Sequence, residues 1–235
     1  MNKLKHSILF TALLAFSAIT IAQLPLSGFT EKEAAQGIKE ALSNGVVKGI
    51  SFLNKTDGFF GNEAYKLFLP PDAKKVETTL RKAGMGAEVD KAILQINRGA
   101  EDAVGFATPI FLEAIKKMTL TDALNIVKGP KDAATQYFKK MTTDSLIKAF
   151  TPPVKSSLDK TQATKYYTDL ITSYNKFPTT FKKVNPDLTS YVVGKAVDAL
   201  FDQVAKEEAN IRANPVARTS DILKKVFGGV IKQNL

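Results

Sequence analysis

The sequence has no cysteine and a single histidine, His6. His6 lies in a leader that the mature chain is expected to lose, leaving neither thiol nor imidazole. That excludes Ser-His-Asp and Cys-His nucleophile systems. Ordinary zinc sites and the usual haem and iron–sulfur ligands go with them. Phosphate-binding glycine loops, CxxC, HExxH and a twelve-residue calcium loop are missing too. No Glu-x-x-His pair exists to build a di-metal carboxylate site. No metal or cofactor is therefore expected, and any chemistry must use carboxylates, Lys, Arg, Tyr and Ser/Thr hydroxyls.

Long apolar runs are scarce as well. Lys3, Lys5 and His6 precede one at 8–16, and Thr20-Ile21-Ala22 supplies small residues for cleavage. This is the pattern of a secretory signal over residues 1–22, leaving a mature chain of 23–235. The run is shorter than the ~20 residues a membrane span needs. No cysteine follows it for lipidation, so no membrane anchor is expected. The expected location is the periplasm or the exterior, where packing without disulfides must hold the fold.

The formal charge is +10, about +8 once Lys3 and Lys5 are removed. For an exported chain this favours lipid headgroups, lipopolysaccharide or acidic polysaccharide over nucleic acid, which is not expected as a partner. Lysines scattered over solvated helix faces account for the charge equally well.

What is present reads as helix from end to end. The sequence predicts an all-α, single-domain, irregular multi-helix bundle with long kinked helices. Thr30 and Glu33 form a capping box opening a helix to about Asn54. Within it Gly37, Ala41, Gly45 and Gly49 make a ridge of small residues that lets a partner helix approach closely. Residues 55–62 form a turn-rich loop. One long helix is expected over 87–118, kinked before Pro109. Thr119 and Asp122 cap a short helix ended by Gly129-Pro130. Separate helices are expected over 131–141 and from Asp144, the latter interrupted at Pro152-Pro153. Others follow over 162–175 and from Asn185-Pro186-Asp187 to about Ala213, then a short one closed by Gly228-Gly229.

Several polar residues interrupt apolar helix faces. Asn97 falls on a stripe with Ile93, Ala100 and Val104, beside Arg98 and Glu101. Glu208 falls on the Val197-Phe201-Val204-Ile211 stripe, with Arg212 one turn on and Arg218 near enough to join it. Tyr166 and Tyr167 lie on an aromatic–aliphatic helix. Lys55, Asp57 and Asn62 offer polar groups beside exposed loop backbone. Each set is explained by support of neighbouring helix ends or by core packing, and each could instead contact a ligand.

The runs 55–59 with Gly61-Asn62, Asn97-Arg98 with Glu101, 119–124, 165–167, 185–188 and 212–218 together resemble a bacterial domain-of-unknown-function family, number 4197 of that series. The last run is similar to an R-x-N-P-x-A-R-T signature. The resemblance implies an exported helical protein and no established activity. Some members look like lipoproteins, an anchoring that a chain without cysteine does not share.

The expected function is non-enzymatic binding of an apolar or amphiphilic anionic ligand, with Lys55, Asp57, Asn62, Asn97, Arg98, Glu101, Tyr166, Tyr167, Glu208, Arg212 and Arg218 as candidate contacts. One alternative is a carboxylate- and tyrosine-dependent enzyme acting on glycans, with Glu101 and Glu208 as its carboxylates. Another is a structural partner in an envelope complex. The sequence leaves the oligomeric state open.

Overall fold

A computed structural model describes residues 30–176, 184, 187–214 and 224. The leader, Asn185-Pro186, Arg218 and all of the expected closing helix except Lys224 lie outside those residues.

Helix α1 spans Glu31–Leu53, and both halves of its capping box form. The Thr30 hydroxyl accepts from the Glu33 amide at 3.2 Å and the Glu33 carboxylate accepts from the Thr30 amide at 2.8 Å. Its small-residue ridge meets α8 (Thr189–Ala213). A Cβ on Gly49 would sit 3.0 Å from the Gln203 Cβ, and one on Gly45 3.3 Å from the Glu207 Cβ. The glycines cost helix propensity, and the closeness of α8 is what they permit.

A seventeen-residue segment without regular structure, 54–70, leads to a short 3-10 turn at Pro71–Ala73 and helix α2, Lys74–Lys82. Helix α3 is Gly86–Val104 and α4 is Ala107–Lys117. The expected single helix is thus two, and the break falls at Gly105-Phe106. Pro109 is merely the third residue of α4, where a missing N–H costs nothing. The cause lies across the interface. The Asn54 side chain donates to the Glu101 carbonyl at 2.6 Å and lies about where a Cβ on Gly105 would be crowded, at 3.1 Å.

Helix α5, Leu120–Lys128, carries the Thr119/Asp122 capping box. Helix α6 then runs unbroken from Ala133 to Lys160. Two helices and a proline interruption were expected here. Pro152-Pro153 deprives the Lys148 and Ala149 carbonyls of donors, but both residues are exposed, where water can replace a missing donor. Phe150 and Val154 meanwhile bury fully and keep the segment helical. Helix α7 is Ala163–Asn175.

α8 packs along α1 and α6, and α3 packs between α6 and α7. Phe111 of α4 sits edge-to-face with Phe138 of α6 and Phe201 of α8, at 5.6 and 6.0 Å between centroids. The buried apolar side chains form one continuous cluster. No strand occurs among the described residues, and no helix there is long and apolar enough to cross a membrane.

Candidate functional site

α3 holds the 54–70 segment through side chains that meet backbone. Asn97 is fully buried. Its Oδ1 accepts from the Leu67 amide and its Nδ2 donates to the Leu67 carbonyl, both at 2.8 Å. Nδ2 also donates to the Ile93 carbonyl. One turn on, Glu101 Oε1 accepts from the amides of Phe59 and Phe60 at 3.0 Å each. Its Oε2 accepts from Arg98 at 2.7 Å, and Arg98 reaches on to Asp57 at 2.8 Å. Hydrogen bonds to Glu101 and Asp57 raise the Arg98 guanidinium above its ordinary range. Asp57 has φ +65°, and a Cβ on Gly58 would strike the Leu53 carbonyl. Asn62 turns the chain by accepting from the Ala64 amide. Lys55 lies over the Phe52 ring at 4.6 Å. No buried side-chain polar atom of this cluster lacks a partner, so it acts as a clamp on the segment.

Glu208 makes a second clamp. Asp132, the residue before α6, gives no side-chain cap. Glu208 reaches from α8 to supply one, accepting from the Ala134 and Thr135 amides at 2.9 Å and from the Thr135 hydroxyl at 2.8 Å. Arg212 donates to Glu208 and to the Ile126 carbonyl at the end of α5. A buried carboxylate is thus neutralised at a helix N-terminus and by an arginine together.

The two glutamates share no cleft. Asn54 touches the Glu101 residue, whereas Leu42 lines a small cavity with Glu208. Asn54 caps α1 twelve positions after Leu42, about 18 Å along the helix axis. Tyr167 is buried, its hydroxyl pushed up to about 12, first by burial and then by Asp72 and Asp187. Tyr166 is half-buried beneath Lys91 and Lys165.

The open surface with convergent polar groups lies elsewhere. Segment 64–68 and α8 bound a groove of about 570 Å³, lined by Tyr65, Lys66, Phe68, Lys195, Asp202 and Lys206, among others. Tyr65 anchors its floor. Its hydroxyl donates to Asp202 at 2.5 Å and accepts from Gln203 at 2.7 Å and Lys206 at 2.6 Å. Burial and the Asp202 contact raise the Tyr65 hydroxyl. Burial alone would raise Asp202, but hydrogen bonds from Lys206 and Tyr65 outweigh it and hold that carboxyl below its ordinary range. Lys66 sits 4.3 Å over Phe60 and 5.8 Å over Phe68, a ring that is 54% exposed. No three metal-ligating side chains converge among the described residues.

The family model described as a protein of unknown function (DUF4197) matches residues 28–228. The chain belongs to the DUF4197 family. No curated protein and no solved structure matches it. The DUF4197 span includes both clamps and the groove. Within this DUF4197 chain, Asp57, Asn97, Arg98 and Glu101 come together and Glu208 joins Arg212, but at separate interfaces. The groove residues were not singled out from sequence, although two signals existed. Lys195, Asp198, Asp202 and Lys206 recur at helical spacing, and Tyr65-Leu67-Leu69 alternate as buried residues with exposed 64 and 68 and half-buried 66.

Proposed function

We propose that this is an exported, non-enzymatic binding protein for an amphiphilic anionic ligand, taken up in the groove between segment 64–68 and α8. One observation carries the reading. Lys66 has no carboxylate within salt-bridge distance among the described residues, and it lies over two phenylalanine rings, of which the exposed Phe68 lines the groove. A cation beside an open aromatic surface suits a ligand with an anionic head and an apolar body. Lys195 adds a second cation, held only loosely by Asp198 at 3.9 Å. The clamps on 54–70 support the reading too, because a pre-ordered wall lowers the entropy cost of binding. Native mass spectrometry of protein purified from its own host tests it. An anionic amphiphile should co-purify with the wild type and be depleted in Lys66→Gln; a ligand-free wild type counts against the reading.

A second reading has its own observation. Asp198 and Asp202 stand one turn apart on the same open groove, and Tyr65 contacts Asp202. A carboxylate- and tyrosine-dependent enzyme acting on acidic glycans needs such a pair facing one cleft. Release of new reducing ends by the wild type, abolished by Asp202→Asn, would favour it over simple binding.

A further inference from the structure

We propose that a second groove, bounded by α4, α5 and α6, binds a linear alkyl chain bearing one uncharged oxygen function, with the Tyr137 hydroxyl as its hydrogen-bond donor. This site is separate from the groove on α8 and does not depend on it. Its volume is about 550 Å³, within the roughly 300–1,000 Å³ range of small-molecule sites.

The shape follows from helix spacing. Ile110 and Ala114 recur at i, i+4 on α4, facing Tyr137 and Met141 at i, i+4 on α6, while the start of α5 closes one end. Two apolar helix stripes with a channel between them suit an extended chain. Met141 is 55% exposed, and its flexible thioether adapts to whatever lies against it.

The charges at the rim argue for a neutral ligand. Lys117 pairs with Glu113 at 3.4 Å. Asp122 already accepts from the amide and hydroxyl of Thr119, at 2.9 and 2.7 Å. An anionic head would face these two carboxylates, and a cationic one would compete with Lys117 at Glu113 and with the Thr119 donors at Asp122. The Thr142 hydroxyl is spent on the Phe138 carbonyl.

Tyr137 is left. It is half-buried, packs edge-to-face on Phe138 and has no hydrogen bond to any described residue. Ser145, exposed at the rim, is the other hydroxyl without one. Burial, then the nearby Asp122 charge, raises the Tyr137 hydroxyl and keeps it a donor. A half-buried donor beside apolar surface is served by an alcohol, ether or ester oxygen on an otherwise apolar chain.

The test uses the uncharged fluorophore N-phenyl-1-naphthylamine, with 1-dodecanol as competitor, on the full mature chain. Saturable probe binding, displaced by dodecanol, is expected. Ala114→Phe should fill the channel and abolish displacement. Met141→Asp, at an exposed position where folding is not at stake, should weaken both molecules at least tenfold. Tyr137→Phe should weaken dodecanol about tenfold, the worth of one hydrogen bond, and leave the probe within twofold. Unchanged probe binding in Met141→Asp would overturn the location. Equal dodecanol affinity in wild type and Tyr137→Phe would overturn the role of the hydroxyl.

Discussion

Arg98 and Glu101 form a 2.7 Å ion pair one turn apart on α3, and the pair belongs as much to the loop as to the helix. The other Glu101 oxygen holds two loop amides and the other end of the Arg98 fork holds Asp57. Removing the Glu101 carboxylate leaves the Phe59 and Phe60 amides without their acceptor and the half-buried Arg98 guanidinium with only the exposed Asp57. Glu101→Ala should cost about 3 kcal/mol, whereas Asp57→Asn, at a 56% exposed side chain, should cost under about 1 kcal/mol. Urea unfolding of the two variants checks the order, and equal losses would refute the clamp.

Glu208→Ala should also cost about 3 kcal/mol, but its local effect is distinct. Hydrogen exchange should quicken at the first turn of α6, around Ala134 and Thr135, and not at Phe59 and Phe60. Because the two clamps are far apart, the Glu101→Ala/Glu208→Ala double variant should show additive losses within about 0.5 kcal/mol.

Two glycines should respond with opposite signs. Gly194, exposed within α8, has open space around a would-be Cβ. Gly194→Ala should stabilise the fold by about 0.5–1 kcal/mol. Gly49→Ala gains the same propensity but drives a methyl against Gln203, and should destabilise by about 1 kcal/mol or more. Thermal melts of both variants decide the matter.

Tyr167 sets an alkaline limit. Its hydroxyl is raised from the ordinary 10.0 to about 12 in the fold. The unfolded chain ionises first, so this contribution to stability is full below pH 10 and lost as pH rises towards 12. Across that window stability should fall by about 1.4 kcal/mol per pH unit from this group. Tyr167→Phe should remove that part of the slope while changing stability little at pH 7, as measured by urea midpoints at pH 8, 10 and 11.

Local chemistry was legible in the sequence where a pattern is completed within a few residues. Thr30 with Glu33, Thr119 with Asp122, and the Gly45–Gly49 ridge all act as their spacing requires. The pairing of Arg98 with Glu101 and of Glu208 with Arg212 was legible for the same reason. Pro152-Pro153 misled because tertiary burial of Phe150 and Val154 overrides the local cost. The break at Gly105 depends on Asn54, fifty-one positions away in the chain. The groove on α8 was hidden most thoroughly. Its key contact joins Tyr65 to Asp202 across 137 positions, and the α8 residues that line it look, in isolation, like an ordinary solvated face.

The central claim is that Lys66 and its flanking rings receive an anionic amphiphile. Titration with 11-(dansylamino)undecanoate, a fluorescent anionic chain, tests it most directly. Saturable binding should weaken about tenfold in Lys66→Gln, weaken further in Lys66→Gln/Lys195→Gln, and decline with added salt, as exposed charge contacts do. Wild-type affinity retained in the double variant, or no saturable binding at low salt, would contradict the account.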